Sequence, residues 1–254
     1  MKQRDLKDEG KLHRETIKYM AVAAMVLNHI AYIFLIQGSF LYELFTDIGY
    51  LTAITMCFFL VEGYGYTSSK RKYGVRLGVF ALVSQVPYMM AFSGEGVMEF
   101  HNLNMIFSLF ICYLILVAFD CIYDVNLRFG VVSMLALVSL FCDWSLFAPA
   151  FVLLFIWAGE SKARRRMAFL VAAAGFGVMN FTGRLGQCPV LYNILYSLGN
   201  SAGIILAGVV IVYCYGGKCA LKEGRSAKFS KYFFYIFYPA HLLVLGLIRM
   251  ALKY

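Results

Sequence analysis

Two histidines stand where the chain should be driest. His29 lies in the run KYMAVAAMVLNHIAYIFLIQ (residues 18–37), and His241 lies in FYPAHLL near the other end. About 20 apolar residues at ~1.5 Å rise cross a ~30 Å hydrocarbon core. By rise alone, each imidazole sits near the middle of its run. An ionisable side chain at that depth costs a few kcal/mol or more, so it marks a functional site by default. Neutral imidazole is the usual biological proton acceptor near pH 7. Two of them at one depth, on the first and last apolar runs, suit general acid–base work if the bundle closes. The alternative is a pair of packing histidines. Asn28 adjoins His29 and can orient it. Pro239, two residues before His241, removes a backbone hydrogen bond and opens its helix locally.

Other polar residues fall at the ends of apolar runs. Glu62, in EGYGYT, is about a turn inside the second run and needs a partner, with Arg76 and Lys72 as candidates. The following turn, TSSKRKYGVR, carries Lys70, Arg71, Lys72 and Arg76. Basic residues, hydroxyls and helix ends can hold phosphate oxygens, although such a turn can also be a solvated basic loop. It is not a Walker loop, because GxxxxGK[ST] is missing. Asn104 opens the fourth run and either caps a helix or donates into a site. Asp143, in CDWS, is either an N-cap for the sixth run or a substrate contact. No GxSxG or HExxH motif occurs, and no His/Cys/carboxylate spacing suggests a metal. The seven cysteines form no CxxC pair and mostly lie inside apolar runs, so no structural disulfide is expected.

The elements that must position these residues are membrane helices. Hydrophobic residues make up 61% of the chain and charged residues 15%, against about 25% charged in a soluble domain. The runs are continuous rather than alternating, which excludes a membrane β-barrel. The fold class is therefore all-α, a polytopic membrane helical bundle. Nine spans are expected, at 18–37, 49–66, 75–92, 103–119, 129–142, 146–158, 167–182, 201–215 and 232–252. The fifth and sixth are short and could form one broken hairpin. Residues 1–17 form a polar cytoplasmic N-terminus without the apolar core of a signal peptide, and 18–254 form one transmembrane domain.

Charge sets the orientation. With the N-terminus inside, every Lys and Arg except Arg184, Arg249 and Lys253 falls in a cytoplasmic segment. The basic excess is thus a topology signal, not a nucleic-acid footprint. The C-terminus then lies outside, and the protein is a multi-pass cell-membrane protein. Glu43, Asp47, Glu95, Glu99, His101 and Asp143 fall in outer loops. Residues 183–200 read as a long outer connection with a re-entrant or interfacial piece. No internal repeat supports an inverted-repeat transporter.

At these residues the chain resembles the TraX family, the membrane acetylases named for N-terminal acetylation of conjugative pilin. The resemblance runs from about Thr16 to Arg249. It is carried by KYMAVAAMVLNHI, FFLVEGYGYTSSKRKYGVRLGVFALVSQVPY, NLNMIFSL, CDWS and KYFFYIFYPAHLLVLGLIR, in order and at matching spacing. One departure is visible: the family usually reads Asp-His where this chain has Asn28-His29.

The resemblance implies acetyl transfer from cytoplasmic acetyl-CoA to an amine or hydroxyl of an extracytoplasmic acceptor, which could be a peptide, a glycan or lipid-linked. It implies His29 as general base or transient acyl carrier, with Asn28 and His241 assisting. It implies Lys70, Arg71, Lys72 and Arg76, with Glu62, at the CoA phosphates, and Asn104 and Asp143 toward the acceptor. Two other classes fit the buried histidines: a small-solute or proton-coupled transporter, and a catalytically degenerate membrane scaffold.

Overall fold

The computed structural model describes residues 12–93, 102–217 and 225–252, with side chains described outside 225–231. Lys2, Arg4, Lys7, Lys11, Glu95, Glu99, His101, Cys219 and the basic residues at 218, 222 and 253 lie outside the described residues, and those at 225, 228 and 231 outside the described side chains.

Nine α-helices make up the described chain: α1 (Arg14–Phe34), α2 (Phe40–Tyr66), α3 (Lys70–Phe92), α4 (Met105–Cys121), α5 (Val125–Val138), α6 (Phe147–Ala158), α7 (Lys162–Gly183), α8 (Val190–Val209) and α9 (Arg225–Leu252). A 3-10 turn, Ser139–Phe141, extends α5, and a π turn, Val210–Cys214, extends α8. Side-chain oxygens of Ser69, Asn104, Asp124 and Ser161 cap the first turns of α3, α4, α5 and α7. Each accepts from an amide that helix geometry leaves unpaired.

Six helices are long and apolar enough to cross a membrane: Arg14–Phe34, Phe40–Tyr66, Lys70–Phe92, Lys162–Gly183, Val190–Cys214 and Tyr232–Leu252. The protein is a multi-pass, all-helical membrane protein. Each expected apolar run falls on one of the nine helices, but α4 joins α5 and α6 as a shorter apolar helix.

Two expectations are corrected. Glu43 and Asp47 are not in a loop but within α2, which starts at Phe40. The supposed long outer connection 183–200 is mostly helix, since α8 starts at Val190 directly after Pro189. The reason is the same in both places. A stretch at membrane depth must satisfy its own backbone hydrogen bonds, so the helix continues through polar residues and turns their side chains inward. Apolar run length misses such turns.

Contacts divide the chain into two compact units. The first holds α1 through Ala31, residues 36–55, and Ala158–Phe234. There the Thr52 hydroxyl donates to the Ala21 carbonyl at 2.8 Å, tying α2 to α1. Small residues let the backbones approach. A Cβ on Gly203 would lie 2.1 Å from the Asp47 carbonyl oxygen, and one on Gly208 2.9 Å from Phe169 Cβ. Ser201 donates to Ala173, fastening α8 to α7.

The second unit holds residues 32–35, Met56–Trp157 and the remainder from Tyr235. Here Gly74 of α3 admits the Tyr113 ring of α4. Leu103 bonds across to Phe141 and Asp143, at 2.8 Å in each case, which pins the start of α4 to the turn before α6. Gly246 of α9 lies against Met90 and Ala91 of α3, and Arg249 donates to the Ala91 carbonyl at 3.1 Å.

Candidate active site

His241 lies on α9 in the second unit and is buried. Its Nδ1 is 2.9 Å from the Phe237 carbonyl oxygen. A carbonyl can only accept, so Nδ1 carries the proton. In the neutral ring Nε2 then holds the lone pair, the proton-accepting position. Phe237 stacks on the ring at 5.2 Å and Tyr238 meets it edge-on at 5.6 Å. Pro239 leaves the helix without one amide donor at this level.

Tyr238 links His241 to the start of α4. Its hydroxyl accepts from the Met105 amide at 3.2 Å, deep in the core, and feels the charge of Asp143. The Asp143 carboxylate in turn accepts a hydrogen bond from the Tyr88 hydroxyl of α3. Asp143 does not cap α6, which starts four residues later. The residue as a whole keeps exposed surface while protein crowds its carboxyl group. Burial pushes that carboxyl up to about 6 from 3.8, and the Tyr88 bond opposes the shift.

Asn104, at the start of α4, is fully buried. Its Oδ1 accepts from the Ile106 amide at 3.0 Å, and its Nδ2 donates to Ala81 O at 2.8 Å and Gln85 Oε1 at 2.9 Å. Gln85 also accepts from the Asn104 amide and donates to Asn102 O. The capping reading of Asn104 therefore holds, and its side chain is committed within the protein. Three of the predicted residues, His241, Asn104 and Asp143, are thus connected through Tyr238, Tyr88 and the first residues of α4. Tyr88 and Tyr238 carried no role in the sequence, because a Tyr in an apolar run usually signals packing. The QVPY and FYPAH stretches were the available signals.

The predicted phosphate residues gather at the start of α3, also in the second unit. Lys70 Nζ binds Asp120 Oδ2 at 2.6 Å and lies 4.7 Å over the Tyr64 ring. The Tyr64 hydroxyl donates to the same oxygen at 3.2 Å. The Lys70 ammonium, with Tyr64 assisting, holds the Asp120 carboxyl below its ordinary value. Lys70 is therefore engaged rather than open to solvent alone. Arg71 and Lys72 are exposed, and Glu62 is half-buried in the last turns of α2. Arg76 lies over the Tyr73 ring at 5.6 Å, and its Nε is buried without a hydrogen-bond partner.

Asn28 and His29 belong to the first unit, and His29 is buried. Asn28 Nδ2 donates to the Thr46 carbonyl of α2 at 3.4 Å. Gly49 makes this approach possible, since a Cβ there would lie 2.3 Å from Asn28 Cβ.

The elements positioning all of these residues fall within one family match. A model of the TraX protein matches residues 13–249. The chain belongs to the TraX family. It is also 31% identical over 243 residues to the probable fimbrial assembly protein FimC, serogroup H1, of Dichelobacter nodosus, covering 93% of this chain and 96% of that protein. No solved structure matches. In this TraX-family chain, among the described residues, no group of three or more His, Cys, Asp or Glu is placed to hold a metal.

Proposed function

We propose that this TraX-family protein is a membrane acetyltransferase that moves an acetyl group from cytoplasmic acetyl-CoA to an amine or hydroxyl on the outer side. The observation carrying this reading is the His241 cluster: an imidazole whose Nδ1 proton is fixed on the Phe237 carbonyl, against Tyr238, on which the Asp143 carboxylate acts in turn. That combination supplies a base for the attacking group. The acceptor oxygen or nitrogen attacks the thioester carbonyl, its proton passes to His241 Nε2, and the C–S bond breaks to release CoA thiolate. Asp143 and Tyr88 are suited to hold the acceptor's polar hydrogens, while Asn104 positions the start of α4. His29, with Asn28 beside it, is proposed as a second imidazole, either base or transient acyl carrier. The transmembrane region is proposed to run from 18 to 254 with the N-terminus inside. The fimbrial assembly relative makes a pilus subunit a natural acceptor class to try first.

Charge at α3 supports the CoA end. Its first turn holds no acidic residue but begins Lys70-Arg71-Lys72. Cations at a helix N-terminus oppose its dipole, so an anion held there relieves the repulsion. Lys70, Arg71, Lys72 and Arg76 are proposed to hold the CoA phosphates, with Glu62 beside them.

The test is release of free CoA thiol from acetyl-CoA by purified protein in detergent, compared with His241→Ala and His29→Ala. Slow turnover to water is expected, reduced at least about 100-fold in His241→Ala, within the range of general base catalysis, with acetyl-CoA still bound. Absence of acetyl-CoA binding by the intact protein would overturn the reading and favour solute transport.

A further inference from the structure

The first unit contains a buried polar cluster that the acyl-transfer reading does not use. Glu43 and Asp47 stand one turn apart on α2, close enough for their charges to interact. On α8, Asn193, Ser197 and Asn200 form a stripe, and all three are buried. The two helices are in close contact here. A Cβ on Gly199 would lie 2.6 Å from Asp47 Oδ2, and one on Gly203 would collide with the Asp47 carbonyl. Asn200 lies about 100° round the helix from Gly199 and about 60° from Gly203. It therefore sits on the flank of this contact, between the sides of α8 that meet Asp47 and α7. On the other flank Asn193 donates to the Phe181 carbonyl of α7 at 2.8 Å.

The seam is rich in unmatched acceptors. Glu43 Oε1 and Oε2, Asp47 Oδ1, Asn193 Oδ1 and Asn200 Oδ1 are buried without a hydrogen-bond partner. So are the Thr46 and Ser197 hydroxyls and Asn200 Nδ2. Asn200 is completely buried, and both ends of its amide are unmatched. Leaving such groups bare destabilises the fold, most of all for a carboxylate. Helices in lipid carry polar side chains of this kind toward a ligand, an ion path or one another.

The inventory selects the ligand. Acceptors outnumber donors, so the ligand must donate. The Arg184 guanidinium bears on Glu43 but leaves both of its buried carboxyl oxygens without a hydrogen bond. Aromatic faces adjoin the seam, with Tyr50 against Phe176 at 4.9 Å and Arg184 over Tyr196. Aromatic faces attract alkylammonium groups. We infer that the α2–α8 seam at Glu43, Asp47 and Asn200 is a binding site for a primary ammonium group. This site stands independently of the acyl-transfer reading. Its ammonium could come from a soluble amine, such as a peptide amino terminus, or from an ethanolamine lipid headgroup.

Thermal unfolding of the full chain in detergent at pH 7 tests it. Glycinamide is expected to raise the unfolding temperature saturably by several degrees, since a ligand bound only to the folded state stabilises it. N-acetylglycinamide, which lacks the ammonium, is expected to produce no shift. Phosphatidylethanolamine in mixed micelles is the second arm. A saturable shift there, against none with phosphatidylglycerol, assigns the lipid source, and a shift with glycinamide alone assigns the soluble one. Asp47→Asn and Asn200→Leu are expected to abolish the shift. Asn200→Leu alone is expected to unfold no lower than wild type, because it removes an unmatched amide, so its loss of response is not loss of fold. The inference is overturned if neither ammonium source gives a saturable shift, if N-acetylglycinamide works as well, if sodium chloride at equal concentration works as well, or if both variants respond like wild type.

Discussion

The Tyr88 hydroxyl of α3 donates a hydrogen bond to the Asp143 carboxylate in the turn before α6. The pair ties a residue of an apolar helix to the CDWS turn, and the same carboxylate acts on Tyr238 beside His241.

That contact makes a pH prediction with a definite sign. The folded carboxyl of Asp143 is raised from 3.8 to about 6 by burial. Its contribution to stability is fully present below 3.8 and is lost as pH rises through about 6. Asp143→Asn cannot ionise. The variant's unfolding temperature minus that of wild type should therefore grow between about pH 4 and pH 6 and then level off. Tyr88→Phe removes the bond that opposes the shift, so the upper end of the window should move to higher pH. Unfolding temperatures measured across a pH series check both, and identical pH profiles for Asp143→Asn and wild type would contradict the assignment.

Tyr238 accepts from the Met105 amide in the core. Tyr238→Phe leaves that buried amide unmatched, and should destabilise by about 1–3 kcal/mol. The same variant should lower acetyl-CoA turnover, while Tyr235→Phe, outside this bond, should lower neither by as much. Denaturation in detergent, alongside CoA release, separates the two effects.

At the basic end of α3, Asp120 occupies Lys70 with both groups partly exposed. Breaking such an exposed pair costs little stability, since solvent screens it. Asp120→Asn should therefore fold normally and bind acetyl-CoA more tightly, with Lys70 released toward phosphate. Arg71→Gln with Lys72→Gln should weaken binding by about fivefold for each charge, at roughly 1 kcal/mol per exposed contact. Equilibrium binding of acetyl-CoA at two salt concentrations checks the direction, since the charge contribution must shrink at high salt.

Asn28→Asp puts a carboxylate where the structure gives Asn28 a donor's task toward the Thr46 carbonyl. A carboxylate there faces an acceptor. The variant should lose about 1–3 kcal/mol of stability near pH 7, recovering as the pH falls far enough to protonate it. Thermal unfolding across pH tests this, together with turnover to report any catalytic gain.

Close helix approach gives the sharpest packing test. Gly203→Ala brings a Cβ against the Asp47 backbone, which cannot rotate aside as a side chain can. Overpacking of this kind costs about 1–3 kcal/mol or more. Gly65→Ala, with open space around its Cβ, should be tolerated. Their unfolding temperatures in detergent should differ accordingly.

The sequence alone determined that the chain is a bundle of apolar helices and where each apolar run lies along it. Continuous apolar runs carry that information because lipid forces each span to close its own backbone hydrogen bonds, whatever its neighbours do. That His29 and His241 lie within helices followed from the apolar runs around them, and the capping of α4 by Asn104 from a local preference. Tertiary structure decided which polar residues meet. Tyr88, Asp143 and Tyr238 come from α3, a turn and α9, and no local rule pairs them. The same holds for Lys70 with Asp120, fifty positions apart, and for Glu43 and Asp47, read as loop residues but carried inside α2, with Asp47 against Gly199 and Gly203 of α8. A hydrophobic scan registers a polar residue as an interruption. Only the packed helices turn it toward a partner, because the cost of leaving it in lipid is met by a side chain distant in sequence.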